Sequence, residues 1–388
     1  MPIPEGYIYL DNASSTRTSP EVVKEMLPFF TEIYAVASSQ FSHTAGIIAS
    51  EALEKSRKII ANILHVEPEE VIFTSDATES NNLAIKGFAF ANRHKGKHII
   101  VSPVETHSVL QSVKTLQQEG FEVTFLKVDD EGRLDPYSLK NAIRTDTILV
   151  SIQWVNQETG TIQPITELAN ICRESGIVFH TDASWAVGKM EIDLSKIPVD
   201  MLTFTGSLIN GPKGIAVLIR KKHVLLKKIM DGGFNEFNLR PGVENIPGAV
   251  GIAKALELWT DDRRKIIAHL DSILKESLLT IEDSLFNGSK NFRLPGILNI
   301  SFDRVEGESV ILHLDMKKIA VITGSACFSR SLEPSHVLMA MGYTHERAHG
   351  SIRYSLSFEN TEEEMKKTAE ATRDVVERLR KITPIKKE

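Results

Sequence analysis

From residue 71 onward the chain alternates short apolar runs with amphipathic stretches, and no other feature of the sequence restricts its fold so strongly. Apolar runs at 71–74, 98–102, 122–127, 147–152 and 177–179 read as strands. Stretches at 79–92, 108–119, 136–144 and 165–174 read as the intervening helices. Strand followed by helix in this succession argues for an α/β fold with a mainly parallel sheet and helices on both faces. In such sheets ligands collect beyond the strand ends. Two strand ends stand out: Phe179-His180-Thr181-Asp182-Ala183-Ser184-Trp185, and the run from Leu202 through Thr205, Gly206, Ser207 and Leu208 to Gly211-Pro212-Lys213-Gly214.

Outside the alternating region, residues 20–33 and 47–64 read as helices separated by a polar loop at 34–46. A long helical region at 245–278 leads to strands near 297–302 and 352–355. Thr361-Glu362-Glu363-Glu364 is a capping box that opens a charged final helix. At 388 residues the length prior is two or three domains. The net charge of −6 gives no broad basic face, so neither nucleic acid nor a membrane is an expected partner. Two cysteines make no disulfide framework, the start lacks a basic and apolar leader, and no apolar run reaches membrane length. The expected setting is the cytoplasm.

Several residues suit chemistry. Thr74 to Ile85 joins a strand to a helix, so free N–H groups near Ala77 and Thr78 make an anion site; the plainer reading makes Thr78 an N-cap. Asn156 lies in a loop, where its amide serves either a ligand or the backbone. Asp182 ends a buried strand, which is costly unless the acid is paired. Arg353 suits either a bidentate carboxylate contact or a structural ion pair. Cys172, on the apolar side of a helix, reads as core, and His107 as a surface residue. Cys327, in Thr323-Gly324-Ser325-Ala326-Cys327, is surrounded by small polar residues; a thiol there can be reached and ionised, and its thiolate can ligate iron.

Taken together, these segments resemble the cysteine desulfurases, NifS/IscS-like class V aminotransferases of pyridoxal-phosphate (PLP) fold type I, archaeal-type homologues included. The resemblance runs from about Tyr9 to the final helix. It implies a large domain over 16–257 with a seven-stranded-type sheet, and a small α+β domain over 258–388 carrying the Cys327 loop. An N-terminal segment, 1–15, would pack with the small domain. The implied cofactor contacts are Ala77, Thr78, Asn156, Asp182, Thr205 and Ser207. Asp182 would pair with the pyridinium nitrogen, and Asn156 would also serve the substrate. Arg353 would grip the substrate carboxylate. Cys327 is the implied catalytic residue, the thiol that becomes a persulfide. A homodimer, L-cysteine or another sulfur source, and an iron–sulfur scaffold protein of the IscU kind are the implied partners.

The chain departs from the pattern around the cofactor. Leucine stands at 208, where the aldimine lysine belongs. Asp76 replaces a glycine, Thr106 the ring-stacking histidine, and Trp185 a glutamine. Ser207 replaces a phosphate-contacting histidine, and Val243 the threonine that reaches the partner subunit's phosphate. PLP can then be held at best noncovalently, and desulfuration is expected to be slow or absent. Three readings stay open. The first is a desulfurase-derived protein of iron–sulfur assembly, with Cys327 accepting sulfur or ligating a cluster shared with the scaffold. The second is a working desulfurase that uses an unconventional base. The third is a structural paralogue that pairs with an active subunit.

Overall fold

The structure is a computed structural model, and it describes residues 4–324 and 334–382. Twelve strands are described: β1 Ile8–Tyr9, β2 Val71–Thr74, β3 His98–Val101, β4 Glu122–Phe125, β5 Thr147–Ser151, β6 Val178–Asp182, β7 Met201–Thr205, β8 Ala216–Arg220, β9 Ser284–Asn287, β10 Ile297–Phe302, β11 Ile319–Ala320 and β12 Ser351–Ser355. Seven of them form one sheet in the order β2-β8-β7-β6-β5-β3-β4. From β7 across to β4 every neighbouring pair is parallel, while β8 runs antiparallel to both β7 and β2. The α/β reading therefore holds, with one reversed strand near an edge. That reversal follows from the short turn between β7 and β8, which is too brief for the crossover a parallel pair needs.

The inner strands are buried on both faces, which explains why they read as unbroken apolar runs. One face is covered by helices Thr44–Leu64, Ile165–Glu174 and Ile246–Glu257, around Ile60, Phe179, Phe204 and Ile252. Segments 77–92 and 107–118 cover the other, around Ile72, Leu83, Ile99 and Leu149. A separate apolar cluster joins β9, β10 and β12 to helices Asp261–Leu278 and Glu362–Ile382. The N-terminal strand β1 pairs in parallel with β11, and Asn12 donates to the Ser355 carbonyl.

Some boundaries differ from the sequence reading, each for a local reason. The 20–33 segment is two short helices, because Pro28 opens a new one. The helix expected from residue 47 starts at Thr44, with the His43 ring accepting from Gly46 N–H at 3.0 Å. The 245–278 region breaks after Glu257. Trp259 is buried there, donates to the Ile209 carbonyl at 3.0 Å and packs edge-on against Phe358. Thr260 is extended and caps the next helix, whose first turn carries Asp261 and Asp262. Gly188, at φ +80°, lies so close to the Trp259 indole that a Cβ would meet it at 2.9 Å. The capping box forms as read: Glu364 N–H reaches Thr361 Oγ1 and Thr361 N–H reaches Glu364 Oε2.

A buried ion pair fixes the loop that follows β8. Glu236, Phe237 and Asn238 are three consecutive left-handed residues, at φ 45°, 56° and 61°, a conformation that costs about 1–2 kcal/mol for each non-glycine residue. The Glu236 carboxylate holds both arms of the Arg57 guanidinium at 2.9 Å and accepts from Phe73 N–H at 2.8 Å. Phe73 and Phe237 flank the same guanidinium, each with its ring centroid at 5.0 Å. Glu236→Ala strands a buried cation and releases the strained turn, so it is expected to cost about 3–5 kcal/mol. The shift of the urea unfolding midpoint measures this, and Glu236→Gln should fall between the two.

Candidate functional site

Strands β6 and β7 lie side by side, with Asp182 paired to Thr203 in register. Asp182 is almost fully buried at its strand end, where a carboxylate needs partners. Asn81 Nδ2 donates to Oδ2 at 2.8 Å, Thr106 Oγ1 to the same oxygen at 3.3 Å, and Ser184 N–H to Oδ1 at 3.0 Å. Burial pushes its pKa up, and these hydrogen bonds oppose the shift only in part. A second buried acid lies nearby. Glu105 accepts Gln153 N–H on both oxygens, and desolvation together with the charge of Asp182 raises its pKa well above the ordinary range.

The anion-site expectation meets a different arrangement. Asp76, not Thr78, is the N-cap of the helix that starts at Ala77, and its Oδ1 accepts Thr78 N–H at 3.0 Å. Glu79 turns back to accept Ser75 N–H at 2.7 Å and Ser75 Oγ at 2.5 Å, and it also pairs with Arg240 at 3.0 Å. Asp76 thus holds Thr78 N–H, one of the donors expected for a phosphate, and Glu79 holds Ser75 N–H just before the helix. Thr205 Oγ1 exchanges a hydrogen bond with Ser207 Oγ at 3.2 Å, and Trp185 Nε1 donates to the Ala13 carbonyl at 3.1 Å. The Asn156 oxygen takes Glu158 N–H, Thr159 N–H and Thr159 Oγ1, while its nitrogen donates to the Val104 carbonyl. Asn81 Oδ1 is buried with no partner, and so are Thr181 Oγ1 and Ser184 Oγ at the same strand end.

Leu208 closes the short turn Gly206–Leu208 just beyond β7 and is 4% exposed, an apolar side chain at a position that offers no amine. Lys213 is exposed. Lys189 has its amine pushed down to about 8 by burial, and it lines a cavity with Asn12, Trp259 and Pro295. This donor set does not fit a covalently anchored PLP. The amine is missing at 208, and a phosphate at the Ala77 helix would meet the carboxylates of Asp76 and Glu79.

Arg353 lies in β12, where its Nη2 pairs with Asp11 at 2.9 Å and donates to Ser14 Oγ at 2.7 Å; Nη1 reaches the Gln157 carbonyl at 3.2 Å. Its Nε is buried without a partner. The ion-pair reading of Arg353 is thus realised, with one donor to spare. His107, read as a surface residue, is half-buried, and its ring tilts against His336 with centroids 4.7 Å apart. Cys172 is fully buried and its thiol pKa is raised by desolvation, as a core reading requires. Cys327 lies outside the described residues.

Glu105, Glu158 and His336 escaped sequence reasoning. Both acids lie in loops with other polar residues, Thr106 and His107 or Asn156 and Gln157, so nothing local marked them as buried. Glu158 is fully buried against Gly324 and accepts from Ser335 Oγ. Desolvation raises its pKa from 4.5 to about 7, opposed by Ser335 and by the charge of Arg353. A carboxyl whose folded pKa lies above its unfolded value favours folding while protonated. Its contribution is complete below about 4.5 and lost as the pH climbs towards about 7. Glu158→Gln removes that loss. Between pH 5 and 8 the variant's stability should gain on the parent's by on the order of 3 kcal/mol, read from urea midpoints at each pH.

The Aminotransferase class-V family matches residues 8–367. The chain is 45% identical to a cysteine desulfurase IscS of Methanosarcina thermophila, over 97% of this chain and 94% of that protein. A solved NifS-like protein superposes with a TM-score of 0.90 at 33% identity, covering 96% of this chain and 99% of its own. The apo cysteine desulfurase of Thermococcus onnurineus NA1 gives 0.86 at 26% identity, covering 97% and 96%. On the strength of that match over nearly its whole length, the chain belongs to the class V aminotransferases and is a homologue of the IscS/NifS-like cysteine desulfurases.

Proposed function

We propose that this protein is a desulfurase-derived component of iron–sulfur cluster assembly that has lost PLP Schiff-base chemistry. One observation carries the reading: a buried leucine closes the turn just beyond β7, the strand that pairs with Asp182's own, at the position where the resemblance calls for a lysine. The occupied N–H groups at Ser75 and Thr78 support it, and so do the donors already committed to Asp182. Asp182, Asn156 and Thr205 are then inherited residues, each held by neighbours of its own, and PLP would bind noncovalently at best.

The remaining chemistry centres on Cys327. Its thiolate attacks the terminal sulfur of an incoming persulfide, the S–S bond breaks, and the donor leaves as a thiolate. The sulfur passes on to a scaffold protein of the IscU kind, or the Cys327 thiolate ligates the cluster that forms there. No amine is needed for either role. Arg353 keeps one buried donor, Nε, that a carboxylate could use. In the domain layout of this reading, residues 16–257 form the large domain, 258–388 the small domain bearing Cys327, and 1–15 a segment packed on the small domain. The sheet-bearing apolar clusters and the separate β9-β10-β12 cluster support that division.

Pairing with a second subunit, in a homodimer or with an active paralogue, is part of the proposal. Tyr34, Phe41 and Phe234 are at least 80% exposed, and Val243 is 70% exposed. Phe41 and Phe234 line one open cavity with Glu236 and Glu244. Single exposed residues are ordinary, but large aromatics gathered around one cavity suit a protein partner.

After incubation with PLP and desalting, the protein should keep no visible aldimine band, and it should release no sulfide from L-cysteine over repeated turnovers. Leu208→Lys should restore a retained band, and Asp76→Gly added to it should strengthen retention. Multiple-turnover sulfide release by the parent protein would sink the proposal. Lys189→Ala would then test whether the desolvated amine had taken over. In an assembly assay with a persulfide donor and scaffold, Cys327→Ser should abolish sulfur delivery.

A further inference from the structure

Two helix ends meet on the face of the molecule that carries β12. One is the start of helix Gly307–Met316, with Glu306 at its N-cap and Glu308 in its first turn. The other is the short helix His345–His349, which ends just before β12. Their backbones touch: a Cβ at Gly307 would lie 2.7 Å from the His349 carbonyl oxygen and 2.9 Å from the Thr323 side chain. Only glycine permits this approach, so the side chains on either side of the contact are held at short range. A carboxylate oxygen from Glu306, one from Glu308 and a ring nitrogen of His349 all lie within 4.8 Å of one another. Glu306 occupies the cap position, yet its carboxylate makes no capping hydrogen bond.

The sequence of the second helix adds an independent observation. It reads His345-Glu346-Arg347-Ala348-His349, two histidines at i and i+4 in the H-E-x-x-H order that binds zinc on helices. The two rings lie on the same side, with centroids 6.4 Å apart. Arg347, between them, turns elsewhere: it stacks on Tyr343 and donates to Asn287 and to the Phe286 carbonyl. No cation is thereby aimed into the cluster from that helix.

We propose that Glu306, Glu308 and His349, completed by His345, form a binding site for a divalent first-row metal of the zinc and ferrous class. Mixed imidazole and carboxylate donors select such borderline cations over magnesium or calcium, which prefer oxygen alone. Metal–ligand bonds of about 2.0–2.2 Å draw the donors closer together than they stand here. His345 is exposed and Glu308 and His349 are partly exposed, so rotation about side-chain bonds suffices. The site is separate from the Asp182 pocket and stands whether or not Cys327 handles sulfur.

Cobalt(II), whose visible ligand-field bands report nitrogen and oxygen ligation, is the probe. It is titrated into the metal-free full-length protein carrying Cys327→Ser, so that no thiolate from that residue contributes. A saturable band from a single site per chain is expected. His349→Ala should abolish it, His345→Ala should weaken binding, and the double variant Glu306→Gln/Glu308→Gln should weaken it at least about tenfold. Melting curves of the metal-free variants check that each folds. If His349→Ala misfolds, the glutamine pair, isosteric at the surface, decides instead. Absence of a saturable band in the parent overturns the proposal, as does unchanged affinity in folded His349→Ala or in the glutamine pair.

Discussion

A buried carboxylate at the end of a parallel strand sets the terms for everything around it. Asp182 has no access to water, so its charge must be met by donors or relinquished. Asn81, Thr106 and Ser184 meet it from three separate segments. Those donors are short and polar, and they fix how β6, the helix after β2 and the loop after β3 converge. The fold supplies the position, since parallel strands flanked by helices end together on one edge. Glu105 nearby raises the cost further, because two acids this close cannot both hold a full charge at little penalty.

The substitutions around Asp182 form a consistent set. Position 208, just beyond β7, carries a buried leucine and offers no amine. A phosphate would take N–H groups at the start of the Ala77 helix; Asp76 takes Thr78 N–H there, and Glu79 takes Ser75 N–H just before it. Asp76 and Glu79 satisfy these N–H groups from within the chain. Asn81 Oδ1, Thr181 Oγ1 and Ser184 Oγ stay buried without partners around Asp182.

The second unit is organised by different forces. Arg353 reaches out of β12 to Asp11, tying the N-terminal segment to the β9-β10-β12 sheet, while Glu158 and Ser335 meet beneath Gly324. A carboxyl held near neutrality at that place makes the junction sensitive to pH.

Much of this was legible in the sequence. The strand and helix alternation determined the sheet, because periodicity of apolar residues is a local property that burial on two faces imposes directly. Leucine at 208 and aspartate at 76 were visible as departures from the family pattern, and so was the capping box at Thr361. What the sequence could not contain was the pairing of groups distant along the chain. Arg353 meeting Asp11, His107 leaning on His336, and Trp259 breaking a long helix all depend on where the sheet brings separate segments. Pairing energies of buried polar groups are decided by distances of an ångström or less, and only the tertiary structure sets those.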